Sequence, residues 1–180
     1  MDQKQKIDQL KHNVHNQIAD NMKSYGFPST IGLVMGIIYY ERRPMTLEEL
    51  SERTGMSKTR MSQAVRQLTE LNLAQKVYMQ KSRKDLYTVE EDEYLTFIKL
   101  FTHNWRSVVT KNQMSKRKVR EELEKLYEEG MTPELKEQAD LLYTEAEGFL
   151  EFADWLSRLV DFMESEEIFK YVPRNKEDQE

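Results

Sequence analysis

Thr46-Leu47-Glu48-Glu49-Leu50-Ser51-Glu52-Arg53-Thr54-Gly55-Met56-Ser57-Lys58-Thr59-Arg60-Met61-Ser62-Gln63 decides the fold. Thr46 with Glu49 three residues later is a capping box, which starts a helix. Leu47, Leu50 and Met56 supply an inward face. Gly55 stands where the turn between two helices needs a positive φ. Ser57 is a good N-cap for a second helix. That helix turns Met61, Ala64, Val65, Leu68 and Leu71 inward and leaves Thr59, Ser62, Gln63, Arg66 and Gln67 outward. Asn72 closes it. Residues 74–80 then alternate in part as a strand, with Val77 and Met79 on one face. Lys81-Ser82-Arg83-Lys84-Asp85 makes a turn with three cations, and Leu86-Tyr87-Thr88-Val89 returns as a second strand. A capped helix pair followed by a basic hairpin is the layout of a winged helix-turn-helix.

Upstream, Ile7, Leu10, Val14, Ile18 and Met22 fall on one face of a helix over residues 2–24. Gly26-Phe27-Pro28 breaks it. Ser29 or Thr30 is expected to cap the next helix, about 31–40, which is apolar nearly all round and reads as the buried centre of the module. Downstream, a helix is expected over about 91–113, with the aromatic stripe Tyr94, Phe97, Phe101 and Trp105. A separate helix is expected over about 115–129, stopped by Gly130. Thr132-Pro133 restarts the chain as N-cap and N1. From Leu135 to Met163 apolar residues recur with spacings alternating four and three, a heptad seam of about four heptads. A helix with such a face needs other helices to pack on, and a symmetry mate is a natural partner. Residues 175–180 are polar and read as a frayed end. The fold class is therefore mainly α. An N-terminal helix plus winged helix-turn-helix occupies 1–91, and long C-terminal helices forming a dimerisation arm occupy 92–180.

The net charge of −5 alone argues against nucleic acid, but its distribution argues for it. Residues 42–84 hold ten Lys/Arg against four Glu, whereas residues 121–180 hold six Lys/Arg against nineteen Asp/Glu. A basic module on an acidic arm fits a DNA reader carried on a non-DNA domain. The chain has no Cys, so thiolate chemistry is excluded, and no apolar run approaches a membrane span. The expected location is cytoplasmic, with no membrane partner.

Only the major groove admits a helix, and the groove-facing side needs short polar groups with Arg or Gln. Ser57, Lys58, Thr59, Ser62, Gln63 and Arg66 meet that need. Gln63 suits adenine, Arg66 guanine or a phosphate, and Ser57 at the helix N-terminus a phosphate. Lys81, Arg83 and Lys84 at the wing tip suit backbone or the adjacent minor groove. The expected partner is a double-stranded DNA operator. The alternative is a winged-helix adaptor that binds protein through a solvated polar face. Aromatic faces also attract a quaternary ammonium, although aromatic stripes at helical spacing are more often ordinary core. His12, His15 and His103 lack metal spacing, and no phosphate loop or nucleophile–base set appears. No metal, cofactor or enzymatic activity is expected.

Residues 46–50 through Leu68-Thr69-Glu70-Leu71 resemble the DNA-binding core of MarR-superfamily regulators. Tyr25-Gly26-Phe27-Pro28 and the long acidic C-terminal helix resemble the GbsR-type branch, regulators of glycine betaine synthesis and choline uptake. The resemblance covers essentially the whole length. It implies a homodimeric repressor on a palindromic operator, responsive to choline, with an aromatic cage expected to include Phe27, Tyr40, Phe101 and Trp105.

Overall fold

The computed structural model describes residues 2–78 and 84–174. Two compact units divide the chain, Met1–Leu100 and Phe101–Glu180. Among the described residues no helix is long and apolar enough to cross a membrane.

In the first unit, α1 (Gln3–Ser24) is started by Asp2, whose carboxylate accepts from the Gln5 backbone N–H at 2.7 Å. Met22 is fully buried, but Ile7 and Leu10 on the same stripe stay half-exposed. α2 (Ser29–Glu41) is the buried centre, as expected. Its cap differs from expectation. Pro28 occupies the N-cap with no side-chain hydrogen bond, because the chain enters already extended at ψ 138°. Thr30 is instead buried and accepts from Arg60. α1 and α2 cross so closely that a Cβ on Gly32 would stand 2.6 Å from the Ile18 carbonyl oxygen and 2.7 Å from the Ala19 Cα.

β1 (Met45–Thr46) is absent from the sequence expectation. It pairs antiparallel with β3 (Leu86–Val89), which pairs in turn with β2 (Ala74–Val77), giving the order β1-β3-β2. α3 (Leu47–Thr54) and α4 (Lys58–Glu70) form the helix pair. The capping box is present: Thr46 Oγ1 accepts from the Glu49 N–H, and the Glu49 carboxylate accepts from the Thr46 N–H at 2.8 Å. Gly55 adopts φ 69° and Ser57 caps α4, both as read from sequence. Met45, Leu50, Met61, Leu68 and Leu73 are completely buried under this module. Each contributes about 1.5–3 kcal/mol of transfer free energy.

α5 runs unbroken from Glu93 to Glu129, where two helices were expected. No Gly or Pro interrupts it, and the Asn112 amide donates to the Val108 carbonyl at 2.8 Å. The polar stretch is thus absorbed as a helix surface. In the second unit Gly130 ends α5 at φ 86°. Thr132 and Pro133 then start α6 (Pro133–Glu164), and α7 (Ile168–Tyr171) follows.

The α6 seam splits in two. Ala139, Ala146, Ala153 and Val160, seven apart, are nearly fully buried, and Ala153 packs with Val109 and Leu156. Leu135 and Leu142 remain 53% and 48% exposed, and the stacked Phe152 and Trp155 are each 50% exposed. Polar rungs join α5 to α6: Arg106 to Asp161 and Glu164, Arg120 to Glu147, and Tyr127 Oη to Asp140 at 2.7 Å. That last bond pushes the Tyr127 phenol up to about 12. Exposed pairs contribute at most about 1 kcal/mol each, so the alanine column holds the hairpin more than the rungs do.

Candidate nucleic-acid interface

α4 presents one continuous polar side. Thr59, Ser62, Gln63, Arg66 and Gln67 are all exposed, while Met61, Ala64, Val65 and Leu68 anchor the other side in the core. The Ser57 hydroxyl accepts from the Arg60 N–H at 3.3 Å. The helix start is thereby ordered, with its remaining N–H groups directed outward. Beside the outward face runs an open groove of about 730 Å³, lined by Thr30, Ser57, Thr59, Arg60, Gln63 and Arg66, among others.

Two of the cations expected on DNA are held by carboxylates. Lys58 Nζ lies 2.9 Å from Glu48, and its ammonium holds that carboxyl below the usual range. Arg66 Nε lies 3.0 Å from Glu70, with its side chain 81% exposed. Phosphates would replace these carboxylates at little cost, because exposed pairs are weak. Lys84 is exposed. Lys81 and Arg83 lie outside the described residues.

Arg60 was passed over in the sequence. Its Nη2 donates to Thr30 Oγ1 at 3.1 Å, so the guanidinium is held against the start of α2 and lines the groove. The spacing of Arg60 looks like that of any solvated arginine. The signal is a buried threonine thirty residues away, which only folding brings near.

The residues of the expected aromatic cage fall in both units. Phe27 is half-buried and packs on the core beside α2. Phe101 and Trp105 belong to the second unit, one turn apart, with ring centroids 6.2 Å apart. Tyr40 lines a cavity of about 390 Å³ inside the first unit. Its other walls include Tyr25, Tyr39, Phe97 and the carboxylate residues Glu90, Glu91 and Glu93. The Tyr39 and Tyr40 rings meet edge to face at 5.1 Å. Burial pushes the Glu90 carboxyl up, but Lys99 at 2.6 Å and the backbone N–H groups of Asp92 and Glu91 more than offset it, so its value is lowered. The cavity therefore combines ring faces with negative charge.

His15 packs against Tyr40, with ring centroids 5.5 Å apart. Its Nε2 is buried with no hydrogen-bond partner among the described residues. Burial, followed by the charges of His12 and Lys11, holds the imidazole below its ordinary value of 6.5. The unfolded chain therefore takes up this proton first. The stability this neutral histidine contributes is present above pH 6.5 and is lost as pH falls through the lower, folded value. Melting curves between pH 7 and pH 5 should show a steeper loss for the wild type than for His15→Leu. Parallel losses would assign the acid sensitivity elsewhere.

Residues 94–170 match the family described as "GbsR family transcriptional regulator, C-terminal helical hairpin". Three relatives from Bacillus subtilis (strain 168) match nearly end to end. The HTH-type transcriptional repressor OpcR is 52% identical over 95% of this chain and 93% of its own. The putative HTH-type transcriptional regulator YvaV is 52% identical over 93% of this chain and 95% of its own. The HTH-type transcriptional repressor GbsR is 33% identical over 93% of each. A solved structure described as "Crystal Structure of a transcriptional regulator" aligns with a TM-score of 0.52 at 13% identity, covering 84% of this chain and 98% of that one. This last likeness concerns the fold alone. With half its residues shared along nearly the whole length of two relatives, and with the family's helical hairpin in place, the chain belongs to the GbsR family of transcriptional regulators.

Proposed function

We propose that this chain is a DNA-binding transcriptional repressor. It acts in the cytoplasm as a homodimer on a two-fold symmetric operator and releases it in response to a trimethylammonium compound of the choline class. The observation that carries the DNA reading is α4: a helix capped by Ser57, anchored by Met61 and Leu68, with Gln63 and Arg66 exposed on its outer side. The repressor names of OpcR and GbsR support the sign of control. The half-exposed Leu135, Leu142, Phe152 and Trp155 on α6 support a second copy as partner. Leu135 and Leu142 are seven apart, and with the stacked Phe152 and Trp155 they leave apolar surface on α6 that a symmetry mate would cover.

The effector reading rests on the cavity in the first unit. A quaternary ammonium cannot donate a hydrogen bond, so it is recognised by ring faces and by nearby negative charge. Tyr25, Tyr39, Tyr40 and Phe97 offer rings, and Glu90, Glu91 and Glu93 offer charge. Of the four cage residues expected from sequence, Tyr40 is retained in this reading. It takes Tyr39 as its immediate neighbour in place of Phe27, Phe101 and Trp105.

The test is fluorescence anisotropy on an operator recovered by selection from random duplexes. Affinity should fall steeply with added salt as counterions are released, and millimolar choline should weaken it further. Absence of duplex binding at low salt would restore the protein-adaptor reading. Duplex binding that choline leaves unchanged would remove the effector while keeping the repressor.

A further inference from the structure

Two of the residues that line the cavity already hold a cation between them. Arg42 follows α2 in a left-handed conformation, φ 52° and ψ 32°. Its guanidinium carbon stands 4.3 Å from the centroid of the Tyr39 ring, and its Nη1 lies 3.0 Å from the Glu91 carboxylate. Tyr39 and Glu91 both line the cavity. One of its rings and one of its anions are therefore already engaged by a positive charge of the protein itself, carried by a residue outside the cavity lining. A delocalised, weakly hydrated guanidinium suits such a place.

We propose that Arg42 is a built-in competitor for this site, and that a trimethylammonium ligand binds by displacing its guanidinium from Tyr39 and Glu91. The proposal rests on the reading of this cavity as the choline-class site and adds how the ligand is selected and how its arrival is felt. Selection follows from the exchange. A ligand must carry a positive charge to replace one at Glu91, so a neutral isostere of the same shape fits but does not compete. The signal follows from where Arg42 lies in the chain. It ties the end of α2 to Glu91, just past the end of β3. Its neighbour Arg43 reaches Glu49 of the α3 capping box at 2.7 Å. Pro44 leads directly into β1, which pairs with β3. Displacing Arg42 frees the joint that connects α2 and the wing to the helix pair.

The experiment is isothermal titration of the full-length protein with choline chloride, and with 3,3-dimethylbutan-1-ol as the neutral isostere. Wild type is compared with Arg42→Gly and Arg42→Lys. Glycine adopts φ 52° without strain, so the backbone is kept while the competitor is removed. Arg42→Gly should bind choline about three- to tenfold more tightly than wild type, with Arg42→Lys between the two. The isostere should bind wild type at least tenfold more weakly than choline does. In the wild type, whose folding is not in question, saturating choline should move the Arg42 side-chain Nε–H resonance toward that of a free arginine. Equal or weaker choline binding by a folded Arg42→Gly, or an unmoved Arg42 resonance at saturation, would overturn Arg42 as competitor and leave the cavity reading standing. No choline binding to any of the three proteins would overturn both.

Discussion

Alanine at Gly32 is expected to lower the melting temperature by roughly 10 °C, the consequence of an overpacking cost of about 1–3 kcal/mol in a unit of this size. The added methyl would meet backbone at 2.6 and 2.7 Å and the Met22 Cγ at 2.8 Å. A long side chain can swing away from such a contact, but the Ile18 carbonyl and the Ala19 Cα move only with α1 as a whole. α1 would have to lift off α2, uncovering Met22 and Ile31, which are only 2% and 1% exposed. The lift also widens the aromatic cavity, since Ile18 and Met22 on α1 and Tyr39 and Tyr40 on α2 are among its walls. Effector response should thus degrade along with stability. The same substitution at Gly148 should act in the opposite direction. Nothing lies within 4 Å of a Cβ there, and alanine in a helix interior is favoured over glycine by about 0.5–1 kcal/mol. Thermal melts of the two variants side by side give the comparison. Similar small shifts of one sign would mean that the α1–α2 crossing is looser than described.

Gln63→Ala together with Arg66→Ala is expected to reduce operator affinity by roughly 10²- to 10⁴-fold per half-site, because each well-made base contact discriminates by about 1–3 kcal/mol. Neither side chain supports the fold. Both are exposed, and the Arg66–Glu70 pair contributes only about 0.3–0.5 kcal/mol as an i, i+4 contact. Melting temperature should therefore stay nearly constant while binding collapses. Lys58→Ala should behave differently: a milder, sequence-independent loss, with the salt slope reduced by about one. Anisotropy titrations at several salt concentrations, with specific and scrambled duplexes, separate the two patterns. Unchanged affinity and preference in the double variant would remove α4 as the reading helix.

The helix pair was legible in the sequence because its determinants are local. A capping box spans four residues, Gly55 makes its own turn, and Ser57 caps the helix that begins beside it. β1 was not legible. Two residues have no periodicity, and Met45 and Thr46 are strand only because Tyr87 and Leu86, some forty residues on, pair with them. The continuity of α5 was hidden for a related reason. The aromatic stripe gives way near residue 113 to a polar, charged stretch, which reads as a break although no Gly or Pro stands there. The candidate cavity was half legible. Aromatic residues could be counted, but which of them share a wall depends on how α1 and α2 cross, and that depends on Gly32. Arg42 carried no motif. Its meaning comes from Tyr39 and Glu91 together, one three residues away and the other forty-nine.

The rungs of the C-terminal hairpin fall at multiples of seven on both helices: Arg106, Arg120 and Tyr127 on α5, and Asp161, Glu147 and Asp140 on α6. The buried alanines recur in sevens as well. Sliding α6 by one heptad would bring Asp154 opposite Arg120 and Glu147 opposite Tyr127, and would set alanine where alanine was. Two of the three rungs and the alanine column would survive the slide, and Arg106 alone would lose its acids, with Ile168 where Asp161 was. The turn adds its own choice, through Gly130 at its left-handed φ and Pro133 at the first position of α6. To a folding chain the hairpin is a ratchet with teeth about 10.5 Å apart, and four residues at its bend are the pawl that chooses the tooth.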